Sequence, residues 1–181
     1  MKVNTFIVGA PKAGTTSLHF YLQQHPDVCM SQKKEPNYFT AQDVVNLYYD
    51  VSAINNEDCY HSIFTDPSRK VIGEGSVSYL FYPKVAQKIY EYNPEARILI
   101  ILRDPVQRAF SHYLMDCRLG LCNISLEEIL DNSSKYPHFY QQFVELGMYH
   151  QQIKRYLDMF GQEQVKILFY DDLKTDTELF I

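Results

Sequence analysis

Positive charge is scarce in this sequence: 17 lysines and arginines stand against 22 aspartates and glutamates, for a formal net charge of −5. A nucleic-acid binder needs a basic surface for its phosphate contacts, so that class is excluded. A polyanionic glycan would need a local basic cleft, for which Lys33-Lys34 is the obvious pair. Long apolar runs are missing as well. The longest, Ile98–Leu102, falls far short of the ~20 residues of a membrane-spanning helix, so no membrane segment is expected. Met1-Lys2 leads almost directly into an apolar run with no targeting signal, which makes a cytoplasmic location the expectation. Without such a signal, the glycosylation sequons at Asn123 and Asn132 read as chance. The four cysteines, Cys29, Cys59, Cys117 and Cys122, lack zinc spacing; buried free thiols are expected and no metal site. There is no internal repeat and no low-complexity segment. What remains, 181 residues with 46% hydrophobic content, suffices for one domain with a sizeable core.

The most informative stretch is Gly9-Ala10-Pro11-Lys12-Ala13-Gly14-Thr15-Thr16-Ser17. Phe6-Ile7-Val8 before it reads as a buried strand, and Thr15 to Gln24, with Leu18 and Leu22 on one face, as the helix after it. A strand, a glycine turn and a helix N-terminus make an anion cradle, because backbone N–H groups converge there with the helix dipole behind them. Gly9 and Gly14 have the G-x-x-x-x-G spacing of a nucleoside-triphosphatase loop, but Thr15 stands where that motif needs lysine. The loop cation is Lys12 instead, which points away from magnesium-assisted phosphoryl transfer.

A second cluster follows the β-branched run Arg97–Arg103, which reads as a central parallel strand. Asp104 can cap and Pro105 can open a helix whose apolar face is expected to be Val106, Ala109, Phe110, Tyr113, Leu114 and Cys117. Arg103 then sits at the carboxyl end of a strand, where ligands of open α/β sheets bind, with Ser111 on the other side of the helix from Phe110 and Leu114. Further helices are expected over Pro83–Tyr92 and from Tyr149 to Phe160, stopped by Gly161, and a last strand over Val165–Tyr170. Lys70–Gly73 reads as a strand with Glu74-Gly75-Ser76 as its exit loop. Asp50–Asp66 and Cys117–Tyr140 read as loops and short helices over a substrate cleft. The 15 tyrosines and 11 phenylalanines are expected mainly in the core.

Pro11-Lys12-Ala13-Gly14-Thr15-Thr16-Ser17-Leu18 resembles the 5′-phosphosulfate loop of sulfotransferases that use 3′-phosphoadenosine 5′-phosphosulfate (PAPS). Arg103-Asp104-Pro105 followed by Arg108-x-x-Ser111-x-Tyr113 is similar to the 3′-phosphate motif of the same family. The resemblance implies an α/β, three-layer P-loop-type fold with a central parallel sheet flanked by helices. It implies PAPS as co-substrate, held by Lys12, Ala13, Gly14, Thr15, Thr16, Ser17, Arg103 and Ser111, and no metal. Lys34-Glu35-Pro36-x-x-Phe39 resembles the segment carrying the general base in glycan-type members, which makes Glu35 the base and Lys12 the cation on the leaving oxygen. Glu74-x-Ser76-x-x-Tyr79 is similar to a segment lining the acceptor site; alternatively Glu74 has no part in the chemistry. Some heparan sulfate enzymes have a lysine where this chain has Gly75, which argues against a heparan-type acceptor. The implied function is transfer of a sulfonyl group to a hydroxyl or amine of a carbohydrate or small molecule. A non-catalytic nucleotide-binding remnant and a P-loop small-molecule kinase are the alternatives. Relatives are often anchored in the Golgi, so a Golgi lumen location is expected if the chain is a piece of an anchored protein. The similarity runs over 1–181, with Asp171–Ile181 like the start of a family helix, but the basic closing loop that follows in the family has no counterpart here.

Overall fold

The computed structural model of the chain describes residues 2–45 and 47–175. Its centre is a five-stranded parallel sheet in the order β2–β3–β1–β4–β5, with β1 at Thr5–Gly9, β2 at Val28–Met30, β3 at Val71–Gly75, β4 at Arg97–Leu102 and β5 at Val165–Phe169. Helices α1 (Thr15–Gln23), α2 (Glu57–Ser62), α3 (Val85–Tyr92), α4 (Pro105–Arg118), α5 (Leu126–Asp131), α6 (Pro137–Phe143), α7 (Tyr149–Phe160) and α8 (Tyr170–Thr175) supply the crossovers and the cover. This is the expected α/β architecture. Parallel strands are covered on both faces, which is why β1 is buried at every position and Ile98, Ile100 and Ile101 of β4 are fully buried. The aromatic residues do build core: Phe39 meets Phe6, Tyr79 and Tyr92 edge-on at centroid distances of 5.9, 5.6 and 5.5 Å.

From β1 the chain runs out to β2 and returns through β3, then crosses to the opposite side of β1 for β4 and β5. The direction of winding reverses between β1 and β4, so the carboxyl ends of these two strands open the crevice of a doubly wound sheet. Two contacts tie the segments that leave them. Ala10 N–H donates to the Ile101 carbonyl at 2.7 Å, and Arg103 Nη1 donates to the Lys12 carbonyl at 3.1 Å.

Helix α4 begins as its sequence dictates, with Asp104 Oδ1 accepting from the Gln107 N–H at 2.8 Å and Pro105 in the first turn. Only half of its expected apolar face is turned inward. Val106, Phe110 and Leu114 are 74%, 51% and 43% exposed, while Arg108, His112 and Asp116 are buried. The polar stripe turns inward because partners wait there. Arg108 Nη2 donates to the carbonyls of Gln142 and Phe143 at 2.8 and 2.6 Å, at the end of α6 where helical carbonyls lack intrahelical partners. Asp116 accepts a short hydrogen bond from the Tyr48 hydroxyl. The expected apolar positions Ala109, Tyr113 and Cys117 do pack, against a small second cluster around Ile129 and Phe143.

Three further expectations change. Glu74 and Gly75 lie inside β3 rather than in an exit loop, since Gly75 still pairs with Ile7. Ser111 is not on the far side of α4 from Phe110 and Leu114; all three line one groove. Cys59 is exposed and Cys117 half-buried, while Cys29 and Cys122 are the buried free thiols. The helix expected over Asp171–Ile181 is represented by α8, and its remainder lies outside the described residues. Among the described residues no helix is long and apolar enough to cross a membrane.

Candidate active site

Above the strand ends lies a cavity of about 720 Å³, within the range of small-molecule sites. Its floor is the turn between β1 and α1. Lys12 and Gly14 take positive φ values of 66° and 89°. A side chain at Gly14 is excluded twice, by that φ and by contact: a Cβ would lie 2.8 Å from Leu173 Cδ2 and 3.0 Å from Tyr170 Cδ2. Helices α2, α4 and α5 are capped by the side chains of Asn56, Asp104 and Ser125. Helix α1, like α3, α6 and α7, starts with no side-chain cap and no acidic residue in its first turn, and its first turn lines the cavity. Its leading N–H groups therefore suit an exogenous anion, with the positive end of the helix dipole behind them.

Gly14, Thr15, Thr16 and Ser17 all line this cavity, as expected. Ala13 does not. It is fully buried, and its N–H points back to the Ala10 carbonyl at 3.3 Å. The Lys12 ammonium rests 3.2 Å from the Met115 sulfur, a weak acceptor. Burial pushes the Lys12 pKa down and the Arg103 and Arg118 charges add to that, while Asp116 opposes them.

Arg103 and Ser111 form the wall beside the turn, and both also face a neighbouring groove of about 360 Å³ shared with Lys12 and Arg118. The Arg103 guanidinium lies 4.7 Å from the centre of the Tyr170 ring, and its Nε is buried without a hydrogen-bond partner among the described residues. A planar fork stacked on an aromatic ring with an unused donor suits a phosphate.

Glu35 lines the same cavity from another segment. Glu35 and Asn37 both take positive φ, 57° and 52°, around buried Pro36. The bend is latched to the end of β3: Glu35 N–H donates to the Gly75 carbonyl at 2.9 Å, and Asn37 N–H to Ser76 Oγ at 3.1 Å. One carboxylate oxygen pairs with the Lys34 ammonium and the other accepts from the Val77 N–H at 2.8 Å. Glu35 is thus a fixed carboxylate beside the cavity rather than a solvated turn residue.

Glu74, the other acidic candidate, does not line the cavity. It is fully buried and accepts from Tyr79, Ser76 and Tyr60 hydroxyls at 2.7, 2.8 and 3.1 Å. Burial raises its pKa to about 7 against the pull of these donors. Its place is in the core under the aromatic cluster. Gly75 lies next to His19 and Ile7 and does not line the cavity either.

The rest of the lining differs in part from the sequence expectation. Asp50, Val51 and Ser52 belong to a stretch expected over the cleft, but Val44, Leu47 and Tyr49 lie outside it, and Cys117–Tyr140 contributes nothing to the lining among the described residues. Tyr170, expected at the end of the last strand, instead opens α8 and lines the cavity. Asp116 carried a usable signal, since Arg108, His112 and Asp116 recur at four-residue spacing and make a polar stripe on one face of a helix.

Comparisons with known proteins agree with this fold. The sulfotransferase domain family model matches residues 2–181. The crystal structure of a sulfotransferase from Alicyclobacillus acidocaldarius is similar to this chain with a TM-score of 0.85 and 39% identity, over 98% of this chain and 76% of that one. Membrane-associated sulfotransferase kil1 of Dictyostelium discoideum is 34% identical over 114 residues, 61% of this chain and 22% of the relative. Bifunctional heparan sulfate N-deacetylase/N-sulfotransferase 1 of Caenorhabditis elegans is 28% identical over 173 residues, 93% of this chain and 20% of the relative. The chain thus spans about a fifth of the length of these two curated relatives. A phosphate turn with its lysine displaced, an arginine beyond the neighbouring strand and a family match over nearly every residue lead to one assignment: the chain belongs to the sulfotransferase family.

Proposed function

We propose that this chain transfers a sulfonyl group from PAPS to an acceptor hydroxyl or amine, releasing adenosine 3′,5′-bisphosphate. The observation that carries the reading is convergence: the uncapped start of α1, Lys12, Arg103, Ser111 and Glu35 come from four separate segments and line one cavity. When bound, PAPS supplies the sulfonyl group. The N–H groups and hydroxyls of Gly14 to Ser17 bind the 5′-phosphosulfate, and Arg103 with Ser111 binds the 3′-phosphate. The Lys12 ammonium stabilises the negative charge that develops on the departing 5′-phosphate oxygen. Glu35 orients the acceptor and takes its proton as the acceptor oxygen or nitrogen bonds to sulfur and the S–O bond to the 5′-phosphate breaks. Lys12 and the backbone amides neutralise the oxyanions, so no step calls for a metal.

The test is labelled sulfonate transfer to pooled sugars, phenols and amines, compared between the natural chain and Glu35→Gln. Glutamine keeps the shape and loses the base, so turnover should fall about 10²-fold to 10⁴-fold while bisphosphate affinity stays constant. Undiminished turnover in Glu35→Gln moves the base elsewhere.

A further inference from the structure

Sulfonyl acceptors range from highly charged glycans to neutral alcohols, and the two classes make opposite demands on the wall around the base. Any acceptor oxygen must reach Glu35, which shares its cavity with Val44, Leu47 and Tyr49 to Ser52 and is hydrogen-bonded to the turn after β3. The charges of that wall balance in number, with Lys33 and Lys34 standing against Glu35 and Asp50. The Lys34 ammonium is paired with Glu35 itself. Lys33 Nζ donates to Ser52 Oγ at 2.7 Å. Asp50, on the same wall, is acidic and exposed. The hydroxyl of Ser78 donates to Asn37 Oδ1 and shares a hydrogen bond with Thr40 Oγ1, both at 2.8 Å. The cations Lys12 and Arg103 belong to the phosphate side of the cavity.

The remaining surface is apolar: Val44, Leu47 and Val51 from one segment, Val77 and Phe81 from the other, with the Phe81 ring held edge-on to Tyr82 at a centroid distance of 5.3 Å. The phenol of Tyr49 stands close enough to Glu35, Tyr82 and Asp116 that their charges add to burial in pushing its pKa up to about 12, which keeps it a neutral donor. A polyanion entering here would lose hydration against a wall with no net positive charge, since Lys33 and Lys34 are matched by Glu35 and Asp50, and would meet a chain of net charge −5. A neutral molecule with one hydroxyl and an apolar body would bury that body against the wall and present its oxygen to Glu35.

We infer that the acceptor is a neutral alcohol or phenol with an apolar or aromatic body, not a polyanionic glycan. The inference rests on the sulfonyl-transfer reading and narrows it. In the step it describes, the acceptor O–H proton goes to Glu35, the acceptor oxygen bonds to sulfur, and the electron pair of the broken S–O bond leaves with adenosine 3′,5′-bisphosphate.

Binding to the complex with adenosine 3′,5′-bisphosphate tests this without turnover. Calorimetry would compare 2-naphthol, maltohexaose and a heparosan hexasaccharide, which are neutral and apolar, neutral and polar, and polyanionic. The expected order puts 2-naphthol at least tenfold tighter than either sugar. Val51→Asp should weaken 2-naphthol about tenfold and leave bisphosphate affinity unchanged, which also shows that the variant is folded. Tighter binding of either sugar, no binding of 2-naphthol, or indifference of 2-naphthol to both Val51→Asp and Leu47→Asp overturns the acceptor class while bisphosphate binding stands. Failure to bind the bisphosphate instead overturns the sulfonyl-transfer reading itself, and this inference with it.

Discussion

Replacing Glu74 by glutamine separates a structural carboxyl from a catalytic one. Burial lifts the Glu74 pKa from 4.5 to about 7, so the folded protein holds this proton more tightly than the unfolded chain. The stability contributed by the group is complete below pH 4.5 and is lost as pH rises to about 7, because the native state must then bury a carboxylate or keep a proton that water would take. A shift of this size is worth about 3 kcal/mol at ~1.4 kcal/mol per pH unit. Two histidines act in the opposite sense. Burial depresses His19 from 6.5 to about 4 and His112 from 6.5 to about 3, so their contribution grows as pH climbs from those values to 6.5. The native curve mixes the two slopes, but the difference between variant and native protein isolates Glu74. Glutamine keeps a carbonyl oxygen for the hydroxyls of Tyr60 and Tyr79, and its amide can donate to Ser76 Oγ. Urea unfolding across this pH window should show Glu74→Gln gaining about 3 kcal/mol on the native chain from the acid to the neutral end. Bisphosphate affinity should be unchanged, since Glu74 does not line the cavity. Parallel curves for the two proteins would refute the burial argument, and a variant with intact folding but no sulfonate transfer would return Glu74 to the chemistry.

Other substitutions probe the phosphate side. Arg103→Ala should weaken adenosine 3′,5′-bisphosphate by about 2 kcal/mol more than adenosine 5′-phosphate, the size of one charge-assisted contact, and equal losses for both ligands in calorimetry would remove Arg103 from the 3′-phosphate. Bisphosphate binding and any sulfonate transfer should survive excess EDTA, because Lys12 and the α1 amides replace a metal at the oxyanions; a strict magnesium requirement would favour kinase chemistry. Gly14→Ala should cost about 1–2 kcal/mol for the left-handed backbone alone, before the contact with Leu173, and should lower bisphosphate affinity; a thermal melt and titration matching the native chain would contradict the turn geometry.

Much of this was legible because local chemistry and global fold agree at the phosphate turn. The apolar run before Gly9, the two glycines and the displaced Lys12 are all local features, and the strand ending at Leu102 placed Arg103 without reference to distant residues. The face of α4 was not legible. Val106, Phe110 and Leu114 look like core by spacing, and the inward turn of Arg108 depends on carbonyls at the end of α6, more than thirty residues away in sequence. Glu74 misled for a related reason. A glutamate between two glycines reads as a loop, and only the hydroxyls of Tyr60 and Tyr79 make its burial inside β3 tolerable. The wall from Val44 to Ser52 has no periodicity, so sequence could place it only as irregular chain.

The phosphate side of the site is electrostatically unbalanced, and that imbalance has a direction. Lys12, Arg103 and Arg118 stand on one groove, and burial first, then the two arginines, push the Lys12 pKa down. Asp116 opposes them, yet its carboxylate is itself pushed up by burial and already accepts from Tyr48. Added to this are the uncapped N-terminus of α1 and the buried Nε of Arg103, which lacks a partner among the described residues. Each of these features costs folding free energy, because like charges repel and an unpaired buried donor has lost its water. One multiply charged anion would relieve all of them together. A site of this kind is stabilised by its ligand in proportion to the strain it holds without it, so under the proposed function the features that weaken the free protein are the ones that would hold the bisphosphate.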